Sequence, residues 1–140
     1  ALLPAGAPAQ PGRAVGAAVS GWSFAVGAAV IAVAVGAGAF GAHGLKGRLD
    51  PRALELWETA VRYLVISGFG LLAAGLAARV EPGRPWNLPA LMLLVGGLIF
   101  AGTVAAIALG APRWLGAVTP VGGLLMIAGF VALAVIWVRA

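Results

Sequence analysis

There is no cysteine in this chain, so disulfides, thiolate catalysis and Cys-ligated metal are all excluded. Charge is almost as scarce, at 9% of 140 residues, where a soluble domain carries about 25%. Too few polar side chains remain to give a globule a water-compatible surface. Histidine and tyrosine occur once each, as His43 and Tyr63. Two carboxylates facing a common pocket, a Ser/His/Asp arrangement and a phosphate-cradling loop followed by Lys-Ser/Thr are also missing, so no cofactor and no enzymatic activity are expected.

What the chain has is apolar: 62% of its residues are hydrophobic. The bilayer is therefore the solvent expected for most of it. The net charge of +5 is no nucleic-acid signature. Arg13, Lys46, Arg48, Arg52, Arg62, Arg79, Arg84, Arg113 and Arg139 stand singly between apolar runs, where membrane proteins place them beside headgroups.

Four spans follow from length. Trp22 to Ala42 gives 21 residues without charge, and about 20 cross a hydrocarbon core of about 30 Å. Residues 1–21, rich in Ala, Gly and Pro, read as a flexible arm before a single domain, 22–140. Asp50-Pro51 is a strong helix start, a capping carboxylate followed by a proline whose missing N–H costs nothing. Leu54, Trp57, Val61 and Leu64 then repeat at helical spacing, with Glu55, Glu58 and Arg62 on another face. Glu58 and Arg62 are placed for an i,i+4 pair. The second helix thus starts amphipathic and interfacial, then enters the membrane over Tyr63 to Ala78, 16 uncharged residues that Arg62 and Arg79 can extend along their stems.

Pro82, Gly83 and Pro85 make a turn, Leu88 to Ala111 forms the third span, and Thr119-Pro120 repeats the cap-then-proline start. The expected fold is an all-α, four-helix transmembrane bundle with spans at 22–42, 61–80, 88–110 and 118–138. Both termini then lie on one side of the membrane. The 22 glycines suit close helix approach, since lipid tails are as apolar as Leu and association relies on packing. Gly38, Gly102, Gly122 and Gly123 are the candidate packing positions.

The polar candidates each carry two readings. His43 could shuttle protons or bind a ligand, or else fix a helix end at the interface. Glu55, Glu58 and Arg62 could gate a substrate or ion, or form the wet face of an interfacial helix. Trp57 and Tyr63 fit an interface belt. No carboxylate lies inside the first, third or fourth span, which leaves a proton-coupled pump no site for its coupling group.

Gly38-Ala-Phe-Gly-Ala-His-Gly-Leu-Lys46 followed by Leu54-Glu-Leu-Trp-Glu-Thr-Ala-Val-Arg-Tyr63 resembles the signature of the DUF423 family. That group of small four-helix membrane proteins includes the bacterial YgdD-like proteins and the eukaryotic transmembrane protein 256. Ile99-Phe-Ala-Gly-Thr103, Leu115-Gly-Ala-Val-Thr-Pro-Val-Gly-Gly123 and Ala128-Gly-Phe130 agree with it, so the resemblance spans roughly residues 22–138. Two places depart from the pattern. Leu64 and Ser67 stand where the family usually has Gln and His, and Thr103-Val104-Ala105 where Ser-Leu-Tyr is usual. The resemblance implies a bacterial inner-membrane location with cytoplasmic termini, and leaves the activity open.

Two function classes are carried forward. One is an accessory or assembly subunit, partnered by the lipid bilayer and by other membrane subunits through small-residue faces. The other is a small oligomeric transporter or channel.

Overall fold

In the computed structural model of the chain, the described residues are 6, 8 and 11–140, and for 12–20 the description covers the backbone alone. Among them are four long helices: α1 (Pro11–Phe40), α2 (Pro51–Val80), α3 (Asn87–Ala108) and α4 (Thr119–Val138). All four are long and apolar enough to cross a membrane. Most of the expected arm, 1–10, lies outside the described residues, and from Pro11 onward the backbone is helical. The amphipathic start and the second span are one unbroken helix of 30 residues, about 45 Å at 1.5 Å per residue. Its first turns therefore overhang a hydrocarbon core of about 30 Å.

The helix ends follow from particular residues. Asp50 is extended (φ −66°, ψ 163°), and its carboxylate accepts a 2.8 Å bond from the Ala53 amide, with Pro51 at the first helical turn. α1 ends in a five-residue π-helical turn, Gly41–Leu45. A β-carbon on Gly41 would sit 2.6 Å from Cδ1 of Trp57, whose indole N–H donates to the Ala37 carbonyl at 2.9 Å. The glycine is what lets the indole lie against α1. Gly83, at φ +96°, turns the chain between α2 and α3, and the Trp86 indole closes that turn by donating to the Glu81 carbonyl at 2.9 Å.

Thr119 does not cap α4 as expected. A short 3-10 turn, Arg113–Ala117, feeds α4 through Val118, whose backbone is already helical (φ −82°, ψ −32°). No extended residue stands at that end to fold its side chain back onto a free amide. The Thr119 hydroxyl instead lies 2.7 Å from the Thr103 hydroxyl and donates to the Leu115 carbonyl at 3.3 Å.

Each helix packs on its neighbour in sequence: α1 on α2, α2 on α3, α3 on α4. Among the described residues α1 and α4 do not meet, and α2 and α4 touch sparsely. The bundle is open. Its contacts close through glycine. A β-carbon on Gly27 would meet the Gly68 carbonyl oxygen at 2.8 Å, and one on Gly75 the Phe24 backbone nitrogen at 2.8 Å. Leu71, Ala74 and Ala90 form one small core, and Ala60, Ala101 and Val104 another. Val33, Val35, Leu124 and Val131 face outward, where acyl chains are their solvent.

Candidate functional site

The exposed stripe of α2 changes character along its length. Arg52, Glu55, Glu58 and Arg62 occupy it first, then Ile66, Phe69, Ala73, Leu76 and Val80. These residues recur every three or four positions, so they share one face. The change falls between Arg62 and Ile66. Arg62 follows Val61, whose Cγ1 lies 3.4 Å from where a Gly38 β-carbon would stand, so it sits just inside the end of α1. Its long stem can carry the guanidinium back to the headgroups.

The expected Glu58–Arg62 pair is not formed. Among the described residues the one ion pair is Arg52–Glu55, at 3.5 Å with side chains 78% and 69% exposed. Exposed pairs contribute roughly 0–1 kcal/mol, too little to hold two long side chains against their rotamer entropy. His43 lies exposed in the π-turn, without a side-chain hydrogen bond among the described residues. It is not brought together with Glu55 or Glu58 into any group of three possible metal ligands among the described residues. The polar candidates thus share one end of the bundle without converging on a point.

The packing candidates separate. Gly122 lies where α3 and α4 backbones meet, and a β-carbon there would be 2.5 Å from the Phe100 nitrogen. Gly123 would make ordinary contact with the Phe100 ring at 3.5 Å, Gly38 only with Val61, and Gly102 faces open space. Close interhelical approaches that sequence reasoning missed include those at Gly27, Gly68, Gly75, Gly96 and Gly129. Spacing could have found several of them, because Gly68–Gly75 and Gly122–Gly129 are seven apart, two turns on one face.

Buried and half-buried hydroxyls are spent internally. Ser67 donates to the Leu93 carbonyl at 2.6 Å, and Thr103 to the Ile99 carbonyl at 2.7 Å. Trp22 donates to the Asn87 side chain at 3.0 Å, and the Trp86 and Trp137 rings lie 6.1 Å apart. Trp22, Trp86 and Trp137 gather at the bundle end opposite His43, as an aromatic belt does at an interface.

Recesses open on the surface of the described residues. An apolar groove crosses α1, α2 and α3, lined by Ala37, Trp57, Ala60, Leu64, Ala101 and Gly102 among others. A furrow between α2 and α4 passes Tyr63, Phe100, Gly123, Met126 and Phe130, and resumes beyond Phe130 towards Trp86 and Trp137. A polar cleft lies at the loop end between Arg52 and Arg113.

Four lipid-length helices, a headgroup-facing charged stripe and lateral apolar recesses define a multi-pass integral membrane protein. The chain belongs to the DUF423 family, described as a protein family of unknown function, which matches residues 37–123. That stretch holds the π-turn, the Trp57 joint, the charged stripe and the Thr103–Thr119 contact. Over 44 residues the chain is 52% identical to a UPF0382 membrane protein of Staphylococcus epidermidis, a stretch covering 31% of this chain and 36% of that one. A UPF0382 membrane protein of Staphylococcus haemolyticus is 46% identical over 50 residues, 36% of this chain and 41% of the other. The chain thus spans about two fifths or less of the curated relatives it matches. No solved structure matches it.

Proposed function

We propose that this protein is a non-catalytic accessory or assembly subunit, packed beside a larger complex in the plane of the bacterial plasma membrane, with both termini in the cytoplasm. The observation that carries the reading is the groove over α2. Its floor of Ala37, Ala60, Ala101 and Gly102 keeps side chains short, and a β-carbon on Gly102 would meet nothing within 4 Å. Another helix can approach closely there, held by dispersion and weak polar contacts. The internal hydroxyls of Ser67 and Thr103 support it too, because each already donates its proton to the chain's own carbonyls and has none left for a passing anion.

The test is a photoreactive residue at position 102 in the native membrane. Crosslinking to one stoichiometric membrane protein is expected, and Gly102→Leu should detach that partner while the bundle stays folded. If purified protein alone in liposomes carried a selective flux well above empty controls, the transporter reading would replace this one. Orientation is tested separately: a cysteine at Arg84 should label only from the cytoplasmic side, against a background without native thiols.

A further inference from the structure

The polar cleft and the α2–α4 furrow lie on one seam. Leu56 and Ile107 line the cleft, and Tyr63 and Phe100 line the furrow. Leu56 and Tyr63 are seven apart on α2, as are Phe100 and Ile107 on α3. Seven residues make two turns, so each pair shares a face, and the furrow opens about 10 Å below the cleft. The Tyr63 and Phe100 rings meet across the join, tilted at 39° with centroids 4.3 Å apart. Between the two recesses lie the half-buried hydroxyls of Thr59, bonded to the Glu55 carbonyl at 2.8 Å, and Thr103.

The surface therefore runs from guanidinium to hydroxyl to aromatic and aliphatic groups, in order of depth. That is the order of phosphate, glycerol ester and acyl chain in a phospholipid. The charges complement it. In and around the cleft the Asp50 carboxylate is engaged by the Ala53 amide and Glu55 by Arg52. Arg113 is exposed and has no ion-pair partner among the described residues. The same end carries Lys46, Arg48, Arg52, Arg62 and Arg113 against only Asp50, Glu55 and Glu58. A cleft of about 650 Å³ has room for a headgroup. Guanidinium groups bind phosphate through paired N–H donors, and basic groups at this depth attract anionic lipid.

We infer that an anionic phospholipid occupies this seam, with its phosphate at Arg113 and Arg52, its glycerol esters beside Thr59 and Thr103, and one tail in the furrow. The seam is separate from the groove assigned to protein partners, so either assignment can fail alone.

Native mass spectrometry of the purified, delipidated chain tests this, with palmitoyl-oleoyl phosphatidylglycerol as the probe. One lipid per chain should be retained. The double variant Arg52→Gln/Arg113→Gln should lose retention at least tenfold, with helicity and elution unchanged, because both side chains are exposed. Gly123→Phe, which alters no charge, should lose it comparably by filling the furrow. Lys46→Gln/Arg48→Gln removes the same charge from the same end and should retain lipid as the native chain does. Glycerol phosphate, lacking tails, should not compete. Equal loss in both charge variants would show diffuse surface attraction and overturn the site. Unchanged retention in Arg52→Gln/Arg113→Gln would show only boundary lipid, and a second copy of the chain in place of lipid would show a dimer interface.

Discussion

A β-carbon added at Gly122 would lie 2.5 Å from the Phe100 nitrogen and 2.7 Å from the Gly96 carbonyl oxygen. Both are backbone atoms, so no rotamer change can make room. Gly122→Ala should therefore cost at least the roughly 1–3 kcal/mol typical of overpacking, whereas Gly102→Ala, facing open space, should stay within about 0.5 kcal/mol. Denaturant unfolding in mild detergent would separate the two, and equal costs would contradict the α3–α4 contact. Trp57 gives a graded series by the same assay. Trp57→Phe keeps a ring but drops the bond to the Ala37 carbonyl, a loss of about 0.5–1.5 kcal/mol. Trp57→Ala also removes the half-buried ring from the groove wall and should cost more than Trp57→Phe, while exposed Glu58→Gln should change stability by less than about 0.5 kcal/mol. A Glu58→Gln variant that abolished a measurable flux at normal abundance would restore the gate reading.

At the scale of the element, α2 carries the boundary between headgroup and hydrocarbon on its own surface. Single cysteines at Glu55, Glu58, Ile66 and Phe69 should react with a membrane-impermeant maleimide at the first two positions only. Reactivity at Phe69 would place water on a face that here belongs to lipid. The helix start is testable too. Asp50→Ala removes the 2.8 Å cap bond and should cost about 0.5–2 kcal/mol, read as faster amide exchange confined to the first turn. The seven-residue spacing of the contact glycines has a physical origin at this scale. Seven residues are close to two turns, so glycines seven apart return to one face and can meet the neighbouring backbone twice.

The whole molecule is an open row of helices, and crosslinking can test its order. A cysteine pair at Gly38 and Val61 joins α1 to α2 where the two positions are in contact, and should oxidise within a chain. A pair at Val33 and Leu124, on the outward faces of α1 and α4, should form no bond within a chain. A rapid internal bond there would mean that α1 and α4 close the bundle.

The sequence by itself determined the solvent, the number of spans and the places where they break. Lipid requires about 20 apolar residues in a row, and that demand is read locally, as are Asp50-Pro51 and the turn at Gly83. Charge spacing likewise put Glu55, Glu58 and Arg62 on one face. Which helices meet, which glycines touch, that Thr119 joins Thr103 rather than capping α4, and that the cleft and furrow share a seam were decided only by tertiary structure. The reason lies in the solvent. In water an apolar stripe marks the buried face, but in a bilayer Ala, Val and Leu suit lipid and helix alike, so periodicity no longer tells inside from outside.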